Sequence, residues 1–199
     1  MQIKSKILVG FLALCVANSL FAWSIFKKEL DCNIFSKVDA FEGHFYGITS
    51  YIMGYDEALI LTEDAEAYIA IPDTKEENEF LLKFLDDKET QTAFIGIYDG
   101  TYTANYCVDD EKCAFDDRRF VTVKNKPIYY KNWADKEPNN KLAPQSENER
   151  DFSKKKGEHY VLLNKDGKWA DVGLNERHKV ILEFDEQPRC IIANTGAEQ

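Results

Sequence analysis

Basic side chains are in the minority: 25 lysines and arginines face 35 aspartates and glutamates over 199 residues, giving a formal charge of −10 and a pI near 4.9. Such a surface repels a phosphate backbone, so nucleic acid is excluded as a natural partner and divalent cations are favoured. No internal repeat or Gly/Ser linker divides the chain, and 44% of its residues are hydrophobic, which excludes disordered and collagen-like classes. With three histidines and no Cys-x-x-Cys pair, zinc is a poor fit to the cysteines. Also missing are a Gly-x-Ser-x-Gly elbow, a phosphate loop, a dinucleotide fingerprint and a His-Glu-x-x-His helix. Asp135, Glu137 and Glu158 could in principle pair for glycoside cleavage, but an acidic chain always offers such pairs, and no enzyme is expected. What remains is one domain large enough to bury a core.

The first residues are not part of that core. Met1 to Lys6 carries two lysines and no acid, Ile7 to Phe21 is almost wholly apolar, and Leu20-Phe21-Ala22 ends in a small residue suited to signal peptidase. Residues 1–22 therefore read as an export signal, followed by an amino-terminal extension over 23–42, a domain over 43–186 and a tail over 187–199. The uncharged run Ile7 to Phe26 also has the length of a membrane span, so an uncleaved anchor is the alternative. Leu14 before Cys15 disfavours a lipoprotein box, and Cys15 stands where a pilin-type site after Gly10 needs an acid.

Cleavage removes Cys15 and leaves Cys32, Cys107, Cys113 and Cys190, an even number that in an exported chain reads as disulfides. Three connectivities are possible. Loop geometry favours Cys107–Cys113, closing a short polar loop, with Cys32–Cys190 tying the ends of the domain together.

Gly43 to Ile48 reads as an edge or first strand, and Tyr55 to Ala67 as a helix with Ala58, Leu61 and Ala65 on one face. After the extended segment Tyr68 to Pro72, Thr74-x-x-Glu77 is a capping box opening a helix whose Phe80, Leu81, Phe84 and Leu85 share a buried face. Phe94–Tyr98, Phe120–Val123, His159–Leu163 and Val180–Phe184 read as short strands. Between them, Lys131 to Lys156 is long, polar and irregular, and a stretch of that kind inside one domain points to function or disorder. Two helices followed by strands make an α+β layout.

Within that stretch Glu137-Pro138-Asn139 stands out. A cis proline would put both flanking side chains on one side of a tight turn, and their oxygens suit calcium, a hard cation taking six to eight oxygen ligands. Around it lie Tyr129-Tyr130-Lys131-Asn132-Trp133, Gly157-Glu158-His159-Tyr160-Val161, Gly167-Lys168-Trp169-Ala170-Asp171 and Leu182-Glu183-Phe184. Upstream are Ile69-Ala70-Ile71-Pro72, Glu76-Glu77-Asn78 and Phe94-Ile95-Gly96-Ile97. From about Gly43 to Phe184 this order resembles the C-type lectin-like domain. The resemblance implies a double-looped α+β domain with two helices flanking small antiparallel sheets.

It also implies an exported, calcium-dependent carbohydrate-binding protein of mannose-type preference. Glu137, Asn139, Glu158 and Asp171 would then serve as both metal ligands and sugar contacts, carboxylates accepting from sugar hydroxyls and amides donating to them. Trp133 and Trp169 would be core anchors. The sequence departs from the family pattern where Ala170 replaces the Asn of the Trp-Asn-Asp motif, which removes one calcium oxygen and makes the metal uncertain. The interval from Asn139 to Glu158 is long, with Asn140, Glu147, Asn148 and Glu149 as possible stand-ins. Thr62 with Leu182, and Tyr160 with Leu174, replace both halves of the family's disulfides. Those departures leave open a calcium-independent protein-binding adhesin or surface-assembly module on the same scaffold. Partners are expected to be carbohydrate or glycoprotein, with location in the periplasm, outside the cell or on its surface.

Overall fold

The computed structural model describes residues 30–85, 90–101, 116–140, 157–188 and 190–191. The signal segment, Cys107, Cys113 and the stand-ins Glu147, Asn148 and Glu149 lie outside the described residues.

The described residues open with β1 (Leu30–Asp31) and the hairpin β2 (Phe35–Phe41) and β3 (His44–Thr49), which turns through Glu42 and Gly43, both at positive φ. Helix α1 (Tyr55–Ala65), β4 (Tyr68–Ile69) and helix α2 (Lys75–Leu81) follow, and a 3-10 turn carries α2 on to Leu85. The strand-rich part comprises β5 (Thr92–Asp99), β6 (Phe120–Thr122), β7 (Glu158–Asn164), β8 (Trp169–Gly173), β9 (Lys179–Phe184) and β10 (Cys190–Ile191).

Six strands pair in the order β2-β3-β9-β5-β7-β8, with β4 attached to β9 and β6 to β5. All of these pairings are antiparallel except β5 with β9, joined in parallel at Ala93–Lys179 and Phe94–Val180. That short parallel bridge fuses what the sequence suggests as separate small sheets into one. The sheet also begins before residue 43. Strand β2 escapes sequence pattern because its middle, Ser36 to Ala40, is exposed and carries no alternation of apolar and polar residues. For the same reason β3 is flanked by β2 and β9 and is not an edge strand.

Alternation along the central strands feeds two cores. Ala93, Ile95 and Ile97 of β5 join Val161 and Leu163 of β7, the α2 side chains Phe80 and Leu81, and Trp169. Phe94 and Leu162 point the other way, toward Tyr55 and Ala58 of α1 with Val180 and Leu182. Gly96 is required where β4 crosses β5. A Cβ there would lie 2.1 Å from the Ile69 carbonyl oxygen, at a place where the Gly96 N–H reaches Ala70 O at 2.7 Å. At the ends of the described residues β1 runs parallel to β10, with Leu30 opposite Cys190. The backbones on either side of the expected Cys32–Cys190 bridge are thereby brought together.

The capping box at α2 forms in half. The Glu77 N–H donates to Thr74 Oγ1 at 3.1 Å, but the Glu77 carboxylate turns away from Thr74 and accepts from the Asp73 N–H (2.9 Å) and the Tyr46 hydroxyl (2.7 Å). Burial is the larger influence on Glu77 and pushes its carboxyl above the ordinary value, against those bonds. Thr74→Ala is expected to cost about 1 kcal/mol in urea unfolding, since only the threonine half of the cap is lost.

Candidate functional site

Residues 132–140 are held against the sheet by a short ladder. Asn132 O accepts from the Trp169 N–H at 2.9 Å and the Ala134 N–H donates to Trp169 O at 2.8 Å, a parallel bridge that lays Trp133 beside Trp169. Trp169 is fully buried, its indole N–H donating to Asn78 Oδ1 at 2.8 Å and its ring 5.8 Å from that of Trp133. Trp169 is therefore a core anchor and Trp133 packs against that core, while Tyr129 is exposed. With the start of β8 fixed in this way, Asp171 two residues later faces the turn that follows Ala134.

That turn carries the Glu-Pro-Asn tripeptide, and its Glu137–Pro138 peptide is cis. Glu137 and Asn139 do lie on one side: the Asn139 N–H donates to Glu137 Oε2 at 3.1 Å and its side-chain amide to Oε1 at 2.7 Å. The same Asn139 N–H reaches Asp171 Oδ1 at 2.8 Å, and the Asn140 N–H reaches Asp171 Oδ2 at 2.9 Å. Glu158 is brought in through the backbone, its N–H donating to Asn140 Oδ1 at 3.1 Å. Gly157 makes that approach possible, because a Cβ there would sit 2.4 Å from the same oxygen. All four residues expected from the sequence thus gather at one edge, Glu137, Asn139 and Asp171 in direct contact and Glu158 joined through Asn140.

Beneath them lies a buried cation. Arg119 Nη1 donates to Asp99 Oδ2 at 2.6 Å, and Nη2 to Asp171 Oδ2 at 3.3 Å. Its guanidinium stacks over the Phe120 ring at 4.7 Å. Asp99 also accepts both the N–H and the hydroxyl of Thr101, and His159 Nδ1 lies 3.1 Å away. Burial pushes the Asp99 carboxyl up, but its bonds from His159 and Thr101, with the Arg119 charge, outweigh that and hold it below the ordinary value. At Glu137 the two bonds from Asn139 relieve it only in part. Burial first, and then the neighbouring Asp171 carboxylate, push its carboxyl up to about 8.

No protein-family model matches the chain. Among solved structures, the carbohydrate-recognition domain of the human scavenger receptor C-type lectin covers 76% of this chain and 98% of its own length at 18% identity, with a TM-score of 0.57. The C-type carbohydrate-recognition domain of cow CD23, solved in the presence of GlcNAc2Man3 oligosaccharide, gives 0.53 over 74% of this chain and 92% of its own at 20% identity. The chain has the C-type lectin-like fold. Herring type II antifreeze protein shares it too, at 14% identity, 77% and 97% coverage and a TM-score of 0.53, so the fold alone does not name a ligand.

C-type lectin domains commonly bind calcium, so the donor set must be weighed against that ion. The Arg119 guanidinium pairs with Asp99 and Asp171, while the Glu137 carboxyl beside Asp171 is raised by burial and by that neighbouring carboxylate. All candidate donors are hard oxygens, which suits calcium. Their number is low, because Ala170 contributes no side-chain oxygen, and among the described residues no three His, Cys, Asp or Glu side chains converge as a metal cage. Glu137, Asn139 and Asp171 therefore fit a weakly held hard cation. The three histidines lie apart: His44 pairs with Glu183, His159 with Asp99, and His178 with Thr92.

Sequence reasoning missed Arg119 and Asp99 and treated Asn140 only as a substitute ligand. Arg119 follows Arg118, whose side chain is exposed and pairs with Asp116, and nothing in the sequence separates the buried arginine from the solvated one. Asn140 is wholly buried at a positive φ of 49° and spans Asp171 and Glu158. A positive φ suits asparagine, so an Asn-Asn pair directly after the proline was the available signal.

Proposed function

We propose that the protein is an exported carbohydrate-binding module that engages sugar at the edge formed by Glu137, Asn139, Glu158 and Asp171, with calcium and with a preference for mannose-type hydroxyl pairs. The observation that carries this reading is the contact between the Glu137 and Asp171 carboxyl groups, which together with burial pushes the Glu137 carboxyl up, on a turn that already orients Asn139. Calcium, when bound, supplies a Lewis-acidic centre to which two vicinal hydroxyls can be ligands. The chain's own residues do the rest. Backbone N–H groups of Asn139 and Asn140 hold Asp171 in place, Arg119 steadies it from below, and the carboxylates accept hydrogen bonds from the sugar while amides donate. No catalytic step is assigned. Cys32–Cys190 is proposed as a bridge beside the β1–β10 pair, and no helix among the described residues is long and apolar enough to cross a membrane.

A second reading is favoured by Arg119. Because a guanidinium already bridges Asp99 and Asp171, the turn has an internal counter-charge, and the scaffold could present a calcium-independent protein-binding surface. Chelation separates the two. On a glycan array, calcium-loaded protein is expected to bind mannose-type glycans weakly, near millimolar per site, and to lose that binding in EDTA or with Glu137→Gln combined with Asn139→Asp. Binding unchanged by either treatment would place the contact elsewhere.

A further inference from the structure

The long sheet ends differently at its two sides. Beyond β8, residues 132–134 lie along the start of the strand, and Trp133 pairs in parallel with Trp169. At the opposite end β2 pairs only with β3, has no neighbour on its outer side among the described residues, and exposes Ser36 to Ala40. Which backbone groups face outward there follows from the hairpin. Its two-residue turn, Glu42 and Gly43 with φ of 49° and 90°, makes Phe41 and His44 the closing hydrogen-bonded pair. Alternation along an antiparallel ladder then has Phe41, Asp39 and Lys37 exchange bonds with β3, and it leaves the N–H and C=O of Val38 and Ala40 on the free side. The Ala40 N–H bears this out, since it donates to the carboxylate of Asp39 at 2.8 Å and not to β3. An edge of this kind is a template for another strand.

Side chains select which strand fits. Lys37-Val38-Asp39 is its own complement when it meets itself antiparallel. With the two copies of Val38 opposite each other, Lys37 of each chain faces Asp39 of the other at a non-hydrogen-bonded pair, where side chains approach most closely. Moving the centre by one residue sets Asp39 against Asp39 or Lys37 against Lys37, so the charges admit one register and disfavour its neighbours. Val38 is 49% exposed in an otherwise polar stretch and would be covered at the centre of the pairing. In the single chain the Lys37 ammonium lies 5.4 Å from the centre of the Phe84 ring and donates to Lys83 O, while Asp39 caps the Ala40 N–H. Lys37 and Asp39 are both exposed, so these are surface contacts that an opposite charge on a second copy can replace.

We propose that the free edge of β2 joins a second copy of this chain, antiparallel and centred on Val38, so that the sheet continues across a two-fold axis. The pairing is independent of what the proline turn binds and needs no metal. It would place two such turns on one particle, which raises avidity for a repeated ligand without any new contact. Sedimentation equilibrium of the full exported chain in EDTA tests it. A monomer–dimer equilibrium is expected, with hydrogen exchange at the Val38 amide slowing as protein concentration rises. Val38→Pro removes an outward N–H, a change that an edge strand tolerates, and should leave a folded monomer with the wild-type near-UV circular dichroism. Lys37→Glu and Asp39→Lys should each weaken the dimer by at least about tenfold, because symmetry doubles every like-charge pair, and the two together should restore it. That recovery separates this edge from association through any other surface. The proposal is overturned by a wild-type chain that stays monomeric up to its solubility limit, by a dimer that persists undiminished in Val38→Pro, or by a double charge swap that fails to recover dimerisation.

Discussion

Arg119→Gln is expected to lower the stability of the metal-free protein by about 3–5 kcal/mol, read from urea unfolding, because removing one partner of a buried ion pair strands the other. Here two carboxylates would be stranded. Asp99 and Asp171 both have fully buried side chains, and Arg119 Nη1 and Nη2 divide between them. The damage would extend to the turn, since Asp171 is the acceptor that fixes the Asn139 and Asn140 N–H groups, and Arg119 Nη1 also lies 3.4 Å from Asn140 Oδ1. For a domain of this size such a loss lowers the melting temperature by about 2–4 °C per kcal/mol. Arg119→Lys should recover only part of it. An ammonium is a point charge and cannot span two carboxylates and an amide as a planar fork does. Adding Asp99→Asn to Arg119→Gln should cost less than the sum of the single losses, because one of the two stranded charges has gone. A loss below about 1 kcal/mol in Arg119→Gln, the size seen for solvated pairs, would mean the guanidinium is not the buried counter-charge.

The dependence of the site on Arg119 explains what the sequence disclosed and what it withheld. Trp169, Asp171, the cis-proline tripeptide and the Phe94–Tyr98 strand are legible because each combines an uncommon residue or pattern with a fixed interval to the next. Arg119 is legible only through partners 20 and 52 residues away, and a charge pair leaves no periodicity. Strand β2 was hidden for a different reason. Its pairing with β3 is made by backbone, and its exposed side chains carry no inward stripe to read. Glu77 shows a third limit. The capping interval located the helix correctly, but long-range packing against Tyr46 redirected the carboxylate from Thr74 to Asp73. Local signals placed the elements, and non-local electrostatics decided which side chains meet at the turn.

In EDTA the protein is expected to lose stability as pH rises from the ordinary glutamate value near 4.3 toward about 8, and calcium is expected to reverse the trend. The sign follows from Glu137. Its carboxyl is raised in the fold, first by burial and then by Asp171, so the folded state holds the proton more tightly than the unfolded chain does. Its contribution is fully present below the unfolded value and is lost as pH climbs through the folded one. Calcium needs the ionised carboxylate and must displace that proton, so its affinity should fall by up to about tenfold per pH unit below the folded value, with a proton released on binding at neutral pH. Calorimetry in buffers of different ionisation enthalpy measures the released proton directly. Glu137→Gln substitutes an uncharged group of the same shape. It should flatten the metal-free pH profile across this window and abolish the calcium response together. A wild-type profile already flat in EDTA would mean that Glu137 and Asp171 do not share an uncompensated charge, and the case for a cation at the turn would go with it. A sloping profile without any calcium response would instead leave the carboxyl pair intact and favour the metal-free reading, in which Arg119 alone neutralises Asp171.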